Sequence, residues 1–150
     1  MIRARAEQVG SPLFYFPEYP AEFAGTVDAR GTHLFLRWRD SSETAGGASL
    51  VELDLAMQGE VQAENAGLAL TVLHELLPQS RDSAYFGDML QAIAAASLPG
   101  RMEQCSSHPP IVLDGAHTPT SVRRTIATFQ RIYGAEAVCI FGSVEGKDAT

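Results

Sequence analysis

The run Ile111-Val112-Leu113-Asp114-Gly115-Ala116-His117-Thr118-Pro119 constrains the fold of this chain more than any other part of it. Three apolar residues predict a short buried strand. Asp114-Gly115 ends it. Thr118 then suits a helix N-cap and Pro119 the first helical position, where a missing N–H costs nothing. Beyond that point Val122, Ile126, Phe129 and Tyr133 recur on one helical face. Arg123, Arg124 and Arg131 are expected to face water, and Gly134 stands where such a helix stops. Ala137 to Phe141 predicts a second buried strand. A strand, a helix and a strand within roughly thirty residues predict a right-handed parallel crossover.

Upstream the hydrophobic period is different. Ser11 to Phe23 is aromatic and broken by three prolines, which predicts a short strand and an irregular connection. Gly25 to Arg30 and Thr32 to Arg39 read as two strands about Arg30-Gly31. In the second, Leu34, Leu36 and Trp38 alternate with His33, Phe35 and Arg37. Ser41 to Ser49 reads as a flexible turn. In Leu50 to Leu55, the residues Val51, Leu53 and Leu55 share the apolar side. From Glu60 the period becomes helical. Val61, Leu68, Val72 and Leu76 form one stripe, widened by Ala66, Leu70, Leu73 and Leu77, and Pro78 is expected to end the helix. Ala84 to Ser97 predicts a second helix with Phe86, Leu90, Ile93 and Ala94 inward.

The expected class is therefore mixed α/β: an antiparallel ribbon with helices, then the first βαβ unit of a Rossmann-like domain. A boundary is expected near Ser97 to Gly100, dividing residues 1–97 from 98–150. A parallel sheet is covered on both faces, and two strands with one helix cannot supply that cover. The chain is accordingly expected to be a piece of a longer polypeptide, cut at its C-terminus and at its N-terminus.

Bulk properties exclude several functions. A net charge of -7 argues against a general nucleic-acid or anionic-membrane surface, although a local anion site of one or two arginines remains open. The longest apolar stretches are too short to span a bilayer. The N-terminal MIRARAEQVG lacks an apolar signal core. Cys105 and Cys139 have no metal-binding or disulfide spacing, which predicts reduced thiols and a cytoplasmic setting. A hydrophobic fraction of 45% is enough for a real core.

Four residues could carry chemistry. Ligands of an open α/β sheet sit beyond the carboxyl ends of its strands, where Asp114, Gly115, Gly142 and Ser143 are expected. A carboxylate there suits the hydroxyls of a ribose. His117 stands beside a helix N-terminus, which favours anions. Taken singly, Asp114 reads equally well as a turn cap and His117 as a loop residue; the ordered set favours a site. Arg101 follows Pro99-Gly100 and could be a phosphate clamp or an ordinary ion pair with Glu103. Gln62 and Asn65 share a helix face. Their amides suit an adenine edge, although capping or solvation explains the spacing better. His33, His74 and His108 have no partner at metal-ligand spacing, so no metal site is predicted. Gly142 to Asp148 is not a phosphate loop: its glycine spacing is one short, and Asp148 stands where Ser or Thr should be.

Four segments in register resemble the folylpolyglutamate synthase / dihydrofolate synthase family of the Mur ligase superfamily. Gly59 to Ala66 is similar to the family's G-x-H-Q-x-x-N-A helix start, with Val61 for the His. Leu98 to Glu103 resembles P-G-R-[LMF]-E. Asp114 to Pro119 resembles D-G-A-H-N-P, with Thr118 for Asn. Phe141 to Asp148 resembles F-G…D-K-D, with Gly146 for the first Asp. The resemblance implies the end of a central ATPase domain followed by the start of a C-terminal domain. It implies ATP and Mg2+ as cofactors, and L-glutamate and a folate or dihydropteroate as substrates of a monomeric parent enzyme. In that family Asn65 would contact adenine, Arg101 the ATP phosphates, and Asp114 the ribose. His117 would be catalytic, organising the phosphate and the incoming glutamate. The family's phosphate loop and magnesium ligands lie upstream of the matching stretch, so the isolated chain is expected to be inactive. Met102 and Thr118 also resemble the G-R-M-E and D-Y-A-H-T-P motifs of peptidoglycan-precursor amino-acid ligases. A non-catalytic nucleotide-binding module is the third possibility.

Overall fold

The computed structural model describes residues 2–16, 18–38, 50–77 and 83–142. The expected turn at Ser41 to Ser49, Pro78, and the motif residues beyond Gly142 lie outside them. The elements in order are α1 (Ile2–Val9), β1 (Glu22–Asp28), β2 (Gly31–Arg37), β3 (Leu50–Leu55), α2 (Glu60–Leu76), α3 (Ser83–Ala95), β4 (Glu103–Ser107), β5 (Pro110–Leu113) and α4 (Pro119–Tyr133).

Strands β1, β2 and β3 form an antiparallel sheet in that order, with Gly25 opposite Leu34 and Leu36 opposite Val51. Alternation puts Leu34, Leu36, Trp38, Val51 and Leu55 on one face, where α2 and α3 cover them. The opposite face keeps His33, Arg37, Glu52 and Asp54. There His33 lies between two carboxylates, 2.6 Å from Asp54 and 3.2 Å from Asp28. Trp38 fills the seam between the layers. It stacks on His74 of α2 at 4.7 Å and meets Phe86 of α3 edge-on. Its indole Nε1 is buried with no hydrogen-bond partner among the described residues.

The buried face of α2 differs from the expected stripe. Gln62, Ala63, Ala66, Gly67, Leu70 and Thr71 are inside, whereas Leu68, Val72 and Leu76 are 46%, 46% and 72% exposed. The reason is close approach. A Cβ on Gly25 of β1 would lie 2.6 Å from the Ala63 Cβ, and one on Gly67 would lie 2.8 Å from the Phe23 ring. Small residues let the helix backbone sit almost on the sheet, so the small face is buried and the bulky one is not.

The amino-terminal segments also depart from expectation. Ile2–Val9 is an exposed helix tied to the proline-rich segment by an Arg3–Glu18 ion pair of 2.6 Å. No strand precedes Glu22 among the described residues.

The mixed α/β class holds, but the carboxyl-terminal part is arranged differently from a parallel crossover. Strand β5 pairs antiparallel with β4, a strand whose polar sequence hid it, and the connecting turn contains a cis His108–Pro109 peptide. Ile111 and Leu113 are 53% and 56% exposed rather than buried. Ala137 to Phe141 forms no strand, and Val138 and Ile140 are 92% and 96% exposed. Helix α4 packs on β1 and α2, and no parallel strand pair forms among the described residues. No helix of the described residues is long and apolar enough to cross a membrane.

Candidate functional site

The strand-to-helix corner forms as its sequence requires. Thr118 is extended, at φ -118 and ψ 152, and its hydroxyl accepts from the Ser121 N–H. The Ser121 hydroxyl accepts in return from the Thr118 N–H at 3.0 Å, closing a capping box. Gly134 ends α4 at φ 98. The corner thereby presents Asp114 to His117 at the mouth of the helix N-terminus.

Asp114 is half-buried and already well occupied. Its Oδ1 accepts from the Ala116 N–H at 2.8 Å and from the Thr125 hydroxyl at 2.9 Å, and its Oδ2 accepts from the Met102 N–H at 2.8 Å. A carboxylate offers about four acceptor positions. Three are taken, so Asp114 can accept one hydrogen bond from a ligand and not the pair expected of a ribose-binding carboxylate.

The Pro99-Gly100 turn docks directly on this corner. The Gly115 N–H donates to the Gly100 carbonyl at 2.8 Å. Gly100 and Met102 both have left-handed backbone, at φ 67 and 49. For Met102 that conformation costs roughly 1–2 kcal/mol, offset here by burial of its side chain, which is 5% exposed. Arg101 stands between them. No hydrogen bond or ion pair to its guanidinium is present among the described residues. Glu103, its expected partner, instead accepts from the Gly100 N–H at 2.8 Å. One guanidinium nitrogen lies against Gly115, 3.8 Å from where a Cβ would stand. Arg101 is thus an exposed cation at the corner with its donors free.

His117 is exposed. Its Nδ1 lies 3.1 Å from the Gly115 carbonyl, which makes Nδ1 the protonated nitrogen in the neutral ring and leaves Nε2 to face outward as an acceptor. Arg101, Asp114 and His117 are therefore gathered at one corner. Asn65 is not in contact with them. It is exposed on α2 and donates to Gln62 at 3.3 Å. The link between the two places is its neighbour Glu64, which takes both guanidinium nitrogens of Arg124 at 2.9 Å.

That pair belongs to a larger seam. Arg131 of α4 pairs with Glu60 of α2. The Tyr133 hydroxyl lies 3.1 Å from Gln58 and 3.3 Å from Gln104. Thr128, buried, sits over Gly59, whose φ of 117 requires glycine at the start of α2. Arg124 and Arg131 accordingly do not simply face water. Glu60 and Glu64 lie one turn apart on α2 and Arg124 and Arg131 two turns apart on α4, so each helix gathers its charges on one face, but no local signal paired the two sets. Thr125, the third ligand of Asp114, had no comparable signal. No group of three or more His, Cys, Asp or Glu side chains among the described residues is placed to hold a metal ion.

Residues 100–150 match the family model described as Mur ligase, glutamate ligase domain. The folylpolyglutamate synthase of Lacticaseibacillus casei is 27% identical over 65% of this chain and 23% of its own length. A UDP-N-acetylmuramyl-tripeptide synthetase of Leifsonia xyli is 31% identical over 69% of this chain and 20% of its own. The dihydrofolate synthase/folylpolyglutamate synthase of Bacillus subtilis is 27% identical over 64% and 23%. The chain thus spans about a quarter or less of these curated relatives. In fold, the solved folylpolyglutamate synthetase from Lactobacillus casei superposes on 88% of the chain and 32% of its own, with a TM-score of 0.67 at 21% identity. By name these relatives are synthases and a synthetase. Through residues 100–150 the chain belongs to the Mur ligase family, and it is similar in sequence and in fold to folylpolyglutamate synthases.

Proposed function

We propose that this chain supplies the nucleotide-clamping corner of an ATP-dependent ligase that adds L-glutamate to a folate or to dihydropteroate. On this reading residues 1–97 are the end of the central domain and 98–150 the start of the C-terminal domain. The observation that carries the proposal is the corner itself. It combines a free guanidinium on Arg101, one open acceptor position on Asp114, and an outward imidazole nitrogen on His117. A cation, a single acceptor and a helix N-terminus are the complement of a phosphorylated sugar.

The reaction has two steps. A substrate carboxylate oxygen attacks the γ-phosphorus of ATP; a P–O bond forms and ADP leaves. The glutamate amine then attacks the acyl carbon, phosphate leaves, and the amine proton passes to a base. Arg101 would hold phosphate oxygens against the charge that develops on ADP. Asp114 would accept one ribose hydroxyl, Asn65 would meet the adenine edge, and His117 would orient the phosphate and the incoming amine. Magnesium would serve the phosphates. On this reading its ligands belong to the upstream part of the enzyme, and the isolated chain would be inactive.

The test is the complete enzyme that contains this sequence, assayed for glutamate-dependent ADP release with tetrahydrofolate and, separately, with dihydropteroate. Arg101→Ala should raise KM for ATP by about ten- to a hundredfold, the loss of a charge-assisted contact. No turnover with either pterin substrate would refute the folate reading. The Leifsonia xyli relative favours one alternative, a peptidoglycan-precursor amino-acid ligase; turnover with a UDP-linked muramyl substrate would establish that instead.

A further inference from the structure

The bonds at the corner form a chain that begins on α4, at a residue with no role in the proposed chemistry. The Thr125 hydroxyl donates to Asp114 Oδ1 at 2.9 Å. The same carboxylate receives the Met102 N–H on Oδ2 at 2.8 Å. Met102 is a non-glycine residue in left-handed backbone, and Gly100 before it is left-handed too. Arg101, between them, can point to the corner only while both conformations persist. Gly100 is fixed on one side by the Gly115 N–H and on the other by Glu103. Among the described residues the Met102 N–H has Asp114 as its partner. A carboxylate with one anchored oxygen can still swing about its side-chain torsions. Two donors on Oδ1 and one on Oδ2 remove that freedom.

We propose that Thr125 is a positioning residue: by fixing the plane of the Asp114 carboxylate it holds Met102 left-handed, and so sets where the Arg101 guanidinium stands. The same bond determines which lone pair of Oδ2 remains open to a ligand. The link to a nucleotide rests on the function proposed above; the clasp itself does not.

The full chain, labelled with nitrogen-15, provides the test by nuclear magnetic resonance. Thr125→Val keeps the shape and removes the hydroxyl, and Thr125→Ser keeps the hydroxyl. In Thr125→Val, amide exchange at Met102 should accelerate about tenfold, the loss of one hydrogen bond of ordinary strength. The Arg101 backbone amide signal should shift as the 100–102 turn loses its anchor. The amides of Leu34 and Leu36, in the distant sheet, should be unmoved, which shows that the variant is folded. Thr125→Ser should restore both the Met102 exchange and the Arg101 signal. Unchanged exchange at Met102 in Thr125→Val, or no rescue by Thr125→Ser, would overturn the clasp. A separate arm titrates ATP and inorganic tripolyphosphate into the wild-type chain. Absence of any shift at Arg101 there would count against the nucleotide reading alone, because the exchange measurements need no ligand.

Discussion

At the scale of single residues, His33 shows how neighbours set a charge. Hydrogen bonds donated to Asp54 and then to Asp28 stabilise the imidazolium and hold its pKa above the ordinary 6.5. The backbone N–H of Arg30, followed by His33, pulls the Asp28 carboxyl down from 3.8 to about 2. The signs differ. The His33 contribution is complete below pH 6.5 and is lost as pH rises through the higher folded value. The Asp28 contribution is present above pH 3.8 and is lost as pH falls toward 2. The sheet should therefore be most stable between these limits. Urea midpoints of wild type and His33→Gln should converge as pH rises from about 6 to 9; a constant gap would show that the imidazolium is not what matters. The residues of the strand-to-helix corner were legible from the sequence because Arg101, Asp114 and His117 lie in two short local motifs. Their hydrogen bonds were not. Whether Asp114 binds a ligand or a backbone depends on Met102 and Thr125, which only folding brings to it.

At the scale of elements, alternation predicted which side of β2 and β3 is buried, because period two leaves few choices and the polar residues occupy the other side. The helix α2 was harder. Its sequence carries two apolar faces, one of leucines and valines and one of small residues, and hydrophobicity alone prefers the first. Steric fit decides for the second. Gly25→Ala tests this directly, since the added methyl would meet the Ala63 Cβ on a rigid helix. It should destabilise the fold by about 1–3 kcal/mol as measured by denaturant unfolding. An unaltered midpoint would mean that α2 can lift from the sheet at no cost. The 137–141 segment departs from the expected strand for another reason. Apolar composition predicts that a strand wishes to be covered, but the cover must come from another layer, and α4 is engaged with β1 and α2.

At the scale of the whole molecule, the two sheets communicate through α4. Glu60 and Glu64 face Arg131 and Arg124 across the seam, beside the Thr128–Gly59 contact. The Glu64–Arg124 side chains are 43% and 44% exposed, so the pair is expected to contribute about 1 kcal/mol or less despite its two-pronged geometry. Glu64→Arg and Arg124→Glu should each weaken the seam, and the double exchange should recover most of the loss. The coupling energy from the four proteins should shrink in about 1 M salt, where screening reaches roughly 3 Å. Additive losses would show that the seam is held by its other contacts, those of Arg131, Thr128 and Tyr133. The sequence contained both halves of this seam, sixty residues apart, but nothing local joins them.

The position of Trp38 has a consequence for how such unfolding is observed. It is the sole tryptophan of the chain, enclosed against His74 and Phe86, with an indole N–H that meets no acceptor among the described residues. Its emission should lie toward the blue and be dimmed by the stacked imidazole, so replacing His74 with Leu should brighten it. Every photon therefore reports on one layer, that of β2, α2 and α3. The corner that carries Arg101 and Asp114 contributes no indole and is optically silent. It could come apart unseen while the fluorescence signal held steady, and a label placed on α4 would be needed to watch it.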